Sequence, residues 1–133
     1  MIVADTNLIA YLLIPSEHTA AAEEVRAKDD FWLAPPLWRS ELRNVLALYV
    51  QHGKLALGDV LELAEAAEAM MRGREVDVDA APVLRLAAAS GCSAYDCEFV
   101  VLAQAAGVPL VTSDRRLLAA FPTVAVSPTD FAA

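Results

Sequence analysis

Cysteine is nearly absent from this sequence, with only Cys92 and Cys97 among 133 residues. Two cysteines without a CxxC spacing make neither a disulfide framework nor a zinc site. Five residues apart on one expected helix, they would point in different directions, and the expectation is two reduced, buried thiols. Histidine is as scarce: His18 and His52 are isolated, match no metal spacing and are expected on the surface. Basic residues are few, 10 Lys and Arg against 18 Asp and Glu, for a formal net charge of −8. Such a chain repels nucleic acid unless a cation or local arginines intervene. No uncharged apolar run approaches the roughly 20 residues that span a bilayer. The opening MIVADTN lacks a basic stretch and meets an acid at Asp5, so it is not read as a secretory signal. A cytoplasmic protein with no membrane partner is expected.

What is abundant is small and apolar. Hydrophobic residues make up 57% of the chain, much of the excess alanine, which favours packed helices. The length suits a single domain over 1–133, large enough to bury roughly two-thirds of its unfolded surface. Ile2-Val3-Ala4 reads as a buried strand ending at Asp5. A helix over Asn7–Ile14 is stopped by Pro15, and Ser16 is expected to cap a second over 17–28. Phe31–Ala34 reads as a strand, and Pro35-Pro36 opens a helix over 36–52. Further helices are expected from Gly58 or Asp59 to Arg72, from Asp79 to Ser90, from Ser93 to Ala106 and over Ser113–Phe121. Arg74–Val78, Val108–Val111 and Thr123–Val126 read as strands, and a short tail follows. Short strands alternating with helices imply an α/β fold with a mainly parallel sheet and helices on both faces.

Four acids stand out. Asp5 ends the first apolar run, and Asp114 follows Leu110-Val111 by two residues. Ligands of open parallel sheets bind beyond the strands' carboxyl ends, so neighbouring strands would aim both acids into one crevice. Either acid alone reads equally as a helix cap. Glu41 lies on or beside a stripe formed by Trp38, Leu42, Val45, Leu48 and Tyr49. An inward carboxylate needs a partner, and an ion pair with Arg39 or Arg43 is the structural alternative. Asp96 lies in the first turn of its helix, where the dipole favours an acid in any case. Together the four could not share a pocket bare, because mutual repulsion raises their pKa values. A hard divalent cation, Mg²⁺ or Mn²⁺, resolves the conflict and can activate water for phosphoryl chemistry.

The ordered segments Ile2-Val3-Ala4-Asp5-Thr6-Asn7, Ser40-Glu41-Leu42, Ser93-Ala94-Tyr95-Asp96 with Phe99–Ala103, and Pro109–Asp114 resemble the PIN-domain family, and within it the VapC-like ribonucleases of toxin–antitoxin pairs. The resemblance implies a PIN-like three-layer fold with four to five short, mainly parallel strands. It implies an RNA-cleaving enzyme with one or two Mg²⁺ or Mn²⁺ ions on Asp5, Glu41, Asp96 and Asp114, with Thr6, Asn7 and Thr112 in support. An antitoxin protein and a second copy of the chain are the implied partners. One departure is visible: many relatives carry a further acid soon after the last, where Arg115 and Arg116 stand here. These two are candidate RNA contacts, with a solvated surface pair the plainer reading; Arg39 and Arg43 are candidates too, with ordinary salt bridging an equal reading. The alanine-rich helices near 17–28 and 58–72 could form an antitoxin groove or simply pack within the chain. Trp32 and Trp38 are expected in the core.

Other classes fit less well. An Asp-nucleophile phosphatase usually has a second acid two residues after the first, where Asn7 stands. A phosphoacceptor domain would show adjacent acids after the first strand and a lysine at a late strand end. A catalytically silent PIN-like binding module remains open.

Overall fold

The structure, a computed structural model, describes residues 1–133. In chain order its elements are β1 (Ile2–Ala4), α1 (Thr6–Leu13), α2 (Thr19–Lys28), β2 (Trp32–Leu33), α3 (Trp38–Gln51), α4 (Leu57–Met70), α5 (Ala80–Ser90), α6 (Ala94–Ala106), β3 (Leu110–Val111), α7 (Arg115–Ala120), β4 (Ala125–Val126) and α8 (Pro128–Ala132). The four strands form one sheet in the order β2-β1-β3-β4, and every pairing is parallel. Val3 is in register with Leu33 on one side and Leu110 on the other. This is the expected α/β architecture.

Successive residues of a strand face opposite sides of a sheet. Ile2, Val3 and Ala4 are all fully buried, so both faces of β1 are covered. A 31-residue core cluster surrounds it, in which Trp38, Phe99, Leu8 and Ile9 are among the largest sealed side chains. Trp32 is buried there too. Cys92 and Cys97 are buried free thiols as expected. Only Cys97 is on a helix, however, because Gly91 ends α5 in a left-handed turn (φ 75°) and Ser93 starts α6.

Two expectations need correction. The strand expected over Arg74–Val78 is a single bridge between Glu75 and Ala34. Ala34 donates to the Arg74 carbonyl at 3.2 Å and accepts from Val76 at 3.0 Å. The next residues on that edge are Pro35 and Pro36, which have no N–H to extend a ladder. Ser16 does not cap α2, which begins at Thr19 after His18. Ser16 instead shapes the turn: its hydroxyl accepts from His18 N at 3.1 Å, and its own N–H donates to Thr19 Oγ1 at 2.9 Å. The short tail after the last strand carries α8, whose first turn is capped by Ser127 accepting from Asp130 N and which packs against α2.

No single helix is long and apolar enough to cross a membrane. Between α3 and α4 lies an apolar groove of about 330 Å³ that includes Leu46, Val50, Leu57, Val60 and Leu61. The other alanine-rich helix, α2, packs against α1 and α8.

Candidate active site

Four helix amino termini converge beyond the carboxyl ends of β1 and β3. Asp5 is the N-cap of α1, Glu41 lies in the first turn of α3, Asp96 in that of α6, and Asp114 is the N-cap of α7. These four acids line one cleft of about 220 Å³ with Thr6, Asn7, Asn44 and Val45. The positive ends of four helices thus face four carboxylates, which offsets part of their repulsion. The two readings of Asp114 are compatible: Oδ1 accepts from Arg116 N at 2.8 Å and Leu117 N at 3.2 Å while the side chain borders the cleft.

The supporting hydroxyls are more telling. Thr6 and Thr112 are the only buried polar residues in the chain. Thr6 Oγ1 donates to Glu41 Oε1 at 2.8 Å. Thr112 Oγ1 donates to Asp5 Oδ2 at 2.6 Å and accepts from Asp114 N at 3.0 Å. A buried hydroxyl needs a partner, and both are spent on holding the acids in place. Asp96 N donates to Ser93 Oγ at 3.1 Å, fixing the turn that starts α6.

The acids remain strained in charge. Burial raises the Asp5 pKa above the usual carboxylate value; the Thr112 hydrogen bond opposes this, and Asp96 and Asp114 add to it. Glu41 is raised by burial and by the charges of Asp5, Asp96 and Glu98, against the pull of Thr6. Asp96 is raised by burial and by Asp114, and is lowered by the Ser93 hydrogen bond and the Arg116 guanidinium. Oxygen-only donors carrying excess negative charge suit a hard cation such as Mg²⁺ or Mn²⁺. As they stand, no three Asp, Glu, His or Cys side chains are close enough to hold an ion.

The candidate RNA-contacting arginines divide. Arg39 is ion-paired to Glu75, which also accepts from Trp38 Nε1 at 2.9 Å, and Arg43 lies 3.4 Å from Glu68. The salt-bridge reading therefore holds for both. Arg115 and Arg116 are exposed at the start of α7, and the Arg116 guanidinium lowers the Asp96 pKa. Sequence reasoning missed Asn44, an exposed amide bordering the cleft. Its position three residues after Glu41 puts it on the same side of α3, and that spacing was the available signal.

The PIN domain family model matches residues 2–122, and the chain belongs to that family. It is similar to the protein named Ribonuclease VapC3 from Pyrobaculum aerophilum, at 28% identity over 127 residues, covering 92% of this chain and 96% of that protein. The fold matches the crystal structure of PAE2754 from the same organism with a TM-score of 0.75 at 20% identity, covering 98% of this chain and 92% of that one.

Proposed function

We propose that this protein is a metal-dependent endoribonuclease, the toxin of a toxin–antitoxin pair, with its active site at Asp5, Glu41, Asp96 and Asp114. One observation carries the reading: the only two buried polar side chains in the molecule hold carboxylates of the one cleft that gathers four acids. Family membership and likeness to a protein named a ribonuclease support it.

The four carboxylates would hold Mg²⁺ or Mn²⁺, and a cation bound there supplies Lewis acidity to a phosphodiester oxygen and to the attacking water. The chain's own residues do the rest. Thr112 fixes Asp5, and Thr6 fixes Glu41. Glu41, held by Thr6, keeps its carboxylate at the cleft beside Asp5 and Asp96. Asn7 and Asn44 offer amides to the substrate at the cleft's rim. Arg116, and Arg115 beside it, meet phosphate where many relatives carry a further acid.

The apolar α3–α4 groove, with Leu57 60% and Leu61 58% exposed, is the docking surface for an antitoxin segment. A second copy of the chain uses the face around Leu84 and Tyr95, 61% and 65% exposed, between α5 and α6. The protein acts in the cytoplasm.

The test is incubation of the purified chain with single-stranded RNA in Mg²⁺, in Mn²⁺ and with chelator. Cleavage that chelator abolishes is expected, as is loss of cleavage in Asp5→Asn and Asp96→Asn variants that keep the wild-type circular dichroism. Equal cleavage with chelator would refute metal dependence. RNA that is bound but never cut would favour a silent binding module.

A further inference from the structure

Two helix faces lead out of the acidic cleft, and both carry aromatic rings. On α1, Asn7 and Tyr11 are four residues apart and share a face; on α3, Glu41, Val45 and Tyr49 do the same. Asn7, Glu41 and Val45 line the cleft, and α1 packs against α3. Tyr11 and Tyr49 therefore continue those faces just beyond the acids, each partly exposed. Their closeness has an electrostatic trace: burial, then the charges of Asp5 and Tyr49, raise the Tyr11 hydroxyl pKa. The track extends one ring further. The exposed His18 imidazole stacks on Tyr11, with ring centroids 4.4 Å apart and planes inclined by 28°.

The turn that carries His18 is tied to α1. Thr19 Oγ1 donates to the Tyr11 carbonyl at 2.8 Å and the Ile14 carbonyl at 3.2 Å, and accepts from Ser16 N at 2.9 Å. These bonds pin the turn between α1 and α2 to the end of α1. Tyr11 and Tyr49 pack one side against the core and stay partly exposed, while Glu17 Oε1 lies 3.4 Å from His18 Nε2 at the edge of the stack. The protein carries a net charge of −8, so an attraction that needs no basic groove suits a polyanion here. Stacking on base faces is such an attraction, and it is tolerant of sequence.

We infer that Tyr49, Tyr11 and His18 form a base-stacking track that seats unpaired nucleotides of RNA next to the phosphodiester held at the acids. The occupant is single-stranded, because paired bases do not offer free faces to side chains. This rests on the nuclease reading for the placement of the scissile phosphate. The stacking itself does not need cleavage.

Steady-state cleavage of an RNA oligonucleotide of about ten residues, with Mn²⁺, tests the track. Tyr11→Leu keeps the bulk and removes the ring; a rise in KM of roughly five- to hundredfold is expected, with kcat within about twofold. Tyr11→Phe restores the ring and is expected to restore KM. Abasic substitution at one nucleotide beside the cut should abolish the difference between wild type and Tyr11→Leu. The same oligonucleotide with 2-aminopurine at that nucleotide should lose fluorescence on binding Asp96→Asn protein, and less so with Tyr11→Leu added. Active enzyme with an unchanged Tyr11→Leu KM, or a Tyr11→Leu defect that persists on the abasic substrate, would overturn the track and leave the nuclease reading intact. Wild type that quenches 2-aminopurine through Tyr11 but never cuts would uphold the track while sinking the nuclease reading. Quenching lost only with a double-stranded probe supports the track. Loss of binding to an antitoxin peptide, with RNA parameters unmoved, would assign these rings to a protein partner instead.

Discussion

Replacing Thr112 with valine isolates the strut beneath the acids. The two side chains are nearly isosteric, and Thr112 is fully buried, so packing is preserved and only the hydroxyl goes. Two hydrogen bonds go with it. The donation to Asp5 is charge-assisted, and such bonds contribute about 1.5–3 kcal/mol. The Asp114 N–H loses its acceptor, at a cost of about 1–3 kcal/mol that water in the open cleft partly relieves. A net loss of about 3 kcal/mol follows. For a chain this size, 1 kcal/mol moves Tm by roughly 3–5 °C, so metal-free Thr112→Val should melt about 10 °C below wild type at neutral pH. The loss also depends on pH in a defined sense. Thr112 holds the Asp5 pKa down against burial, so its removal penalises the ionised carboxylate most. The gap between variant and wild type should narrow as pH falls through the Asp5 pKa, which lies above 3.8 in the folded protein. Urea unfolding followed by tryptophan fluorescence from about pH 4 to 8 measures both effects. An unchanged Tm, or a gap that widens on acidification, would refute the assignment of Thr112 as the support of an ionised Asp5.

Other outcomes follow from the same geometry. Asp5→Asn should abolish cleavage yet raise the metal-free Tm, because it removes one charge from a repulsive, partly buried set; a fall in Tm would contradict this. The folded pKa values of Asp5, Glu41 and Asp96 are raised, so their contribution to metal-free stability is complete below the unfolded values and is lost as pH rises through the folded ones. Saturating Mg²⁺ binds the deprotonated set, so the gain in Tm that it brings should grow from about pH 5 to 8; a gain independent of pH would count against carboxylate ligation. Glu75→Ala should leave Trp38 Nε1 without its partner and cost about 1–2 kcal/mol in urea unfolding, with RNA cleavage unmoved. Trp38→Ala should cost about 3–5 kcal/mol, since the ring is sealed in the core; a loss under 1 kcal/mol would argue against that packing.

The parallel sheet was legible because β1 and β3 are short apolar runs ending near acids, a pattern that strand-end geometry explains. The acids themselves were legible by type and position: Asp5 and Asp114 at strand ends, Glu41 and Asp96 in first turns. That the same residues also cap or start helices was equally visible, and in the structure they do so while lining one cleft. Pairing partners were not legible. Nothing in the spacing of Arg39 and Glu75 says that they meet, because the turn that brings residue 75 to the edge of β2 depends on Ala34 and on the two prolines after it. Alternation over Arg74–Val78 suggested a strand, yet a strand also needs a free edge, which local pattern does not reveal. Asn44 escaped because an exposed amide on a helix has many ordinary uses. The Tyr11–His18 stack joins α1 to the turn after Pro15, and only the path of that turn puts the rings together.

The account depends on four carboxylates closing on one divalent cation. Mn²⁺ titration followed by electron paramagnetic resonance reads this directly, since bound Mn²⁺ loses the sharp signal of the free ion. Saturable uptake by wild type, displaced by Mg²⁺ and strongly weakened in both Asp5→Asn and Asp96→Asn, is the predicted result. Uptake that survives intact in both variants, or no uptake at millimolar Mn²⁺ with RNA present, would contradict it.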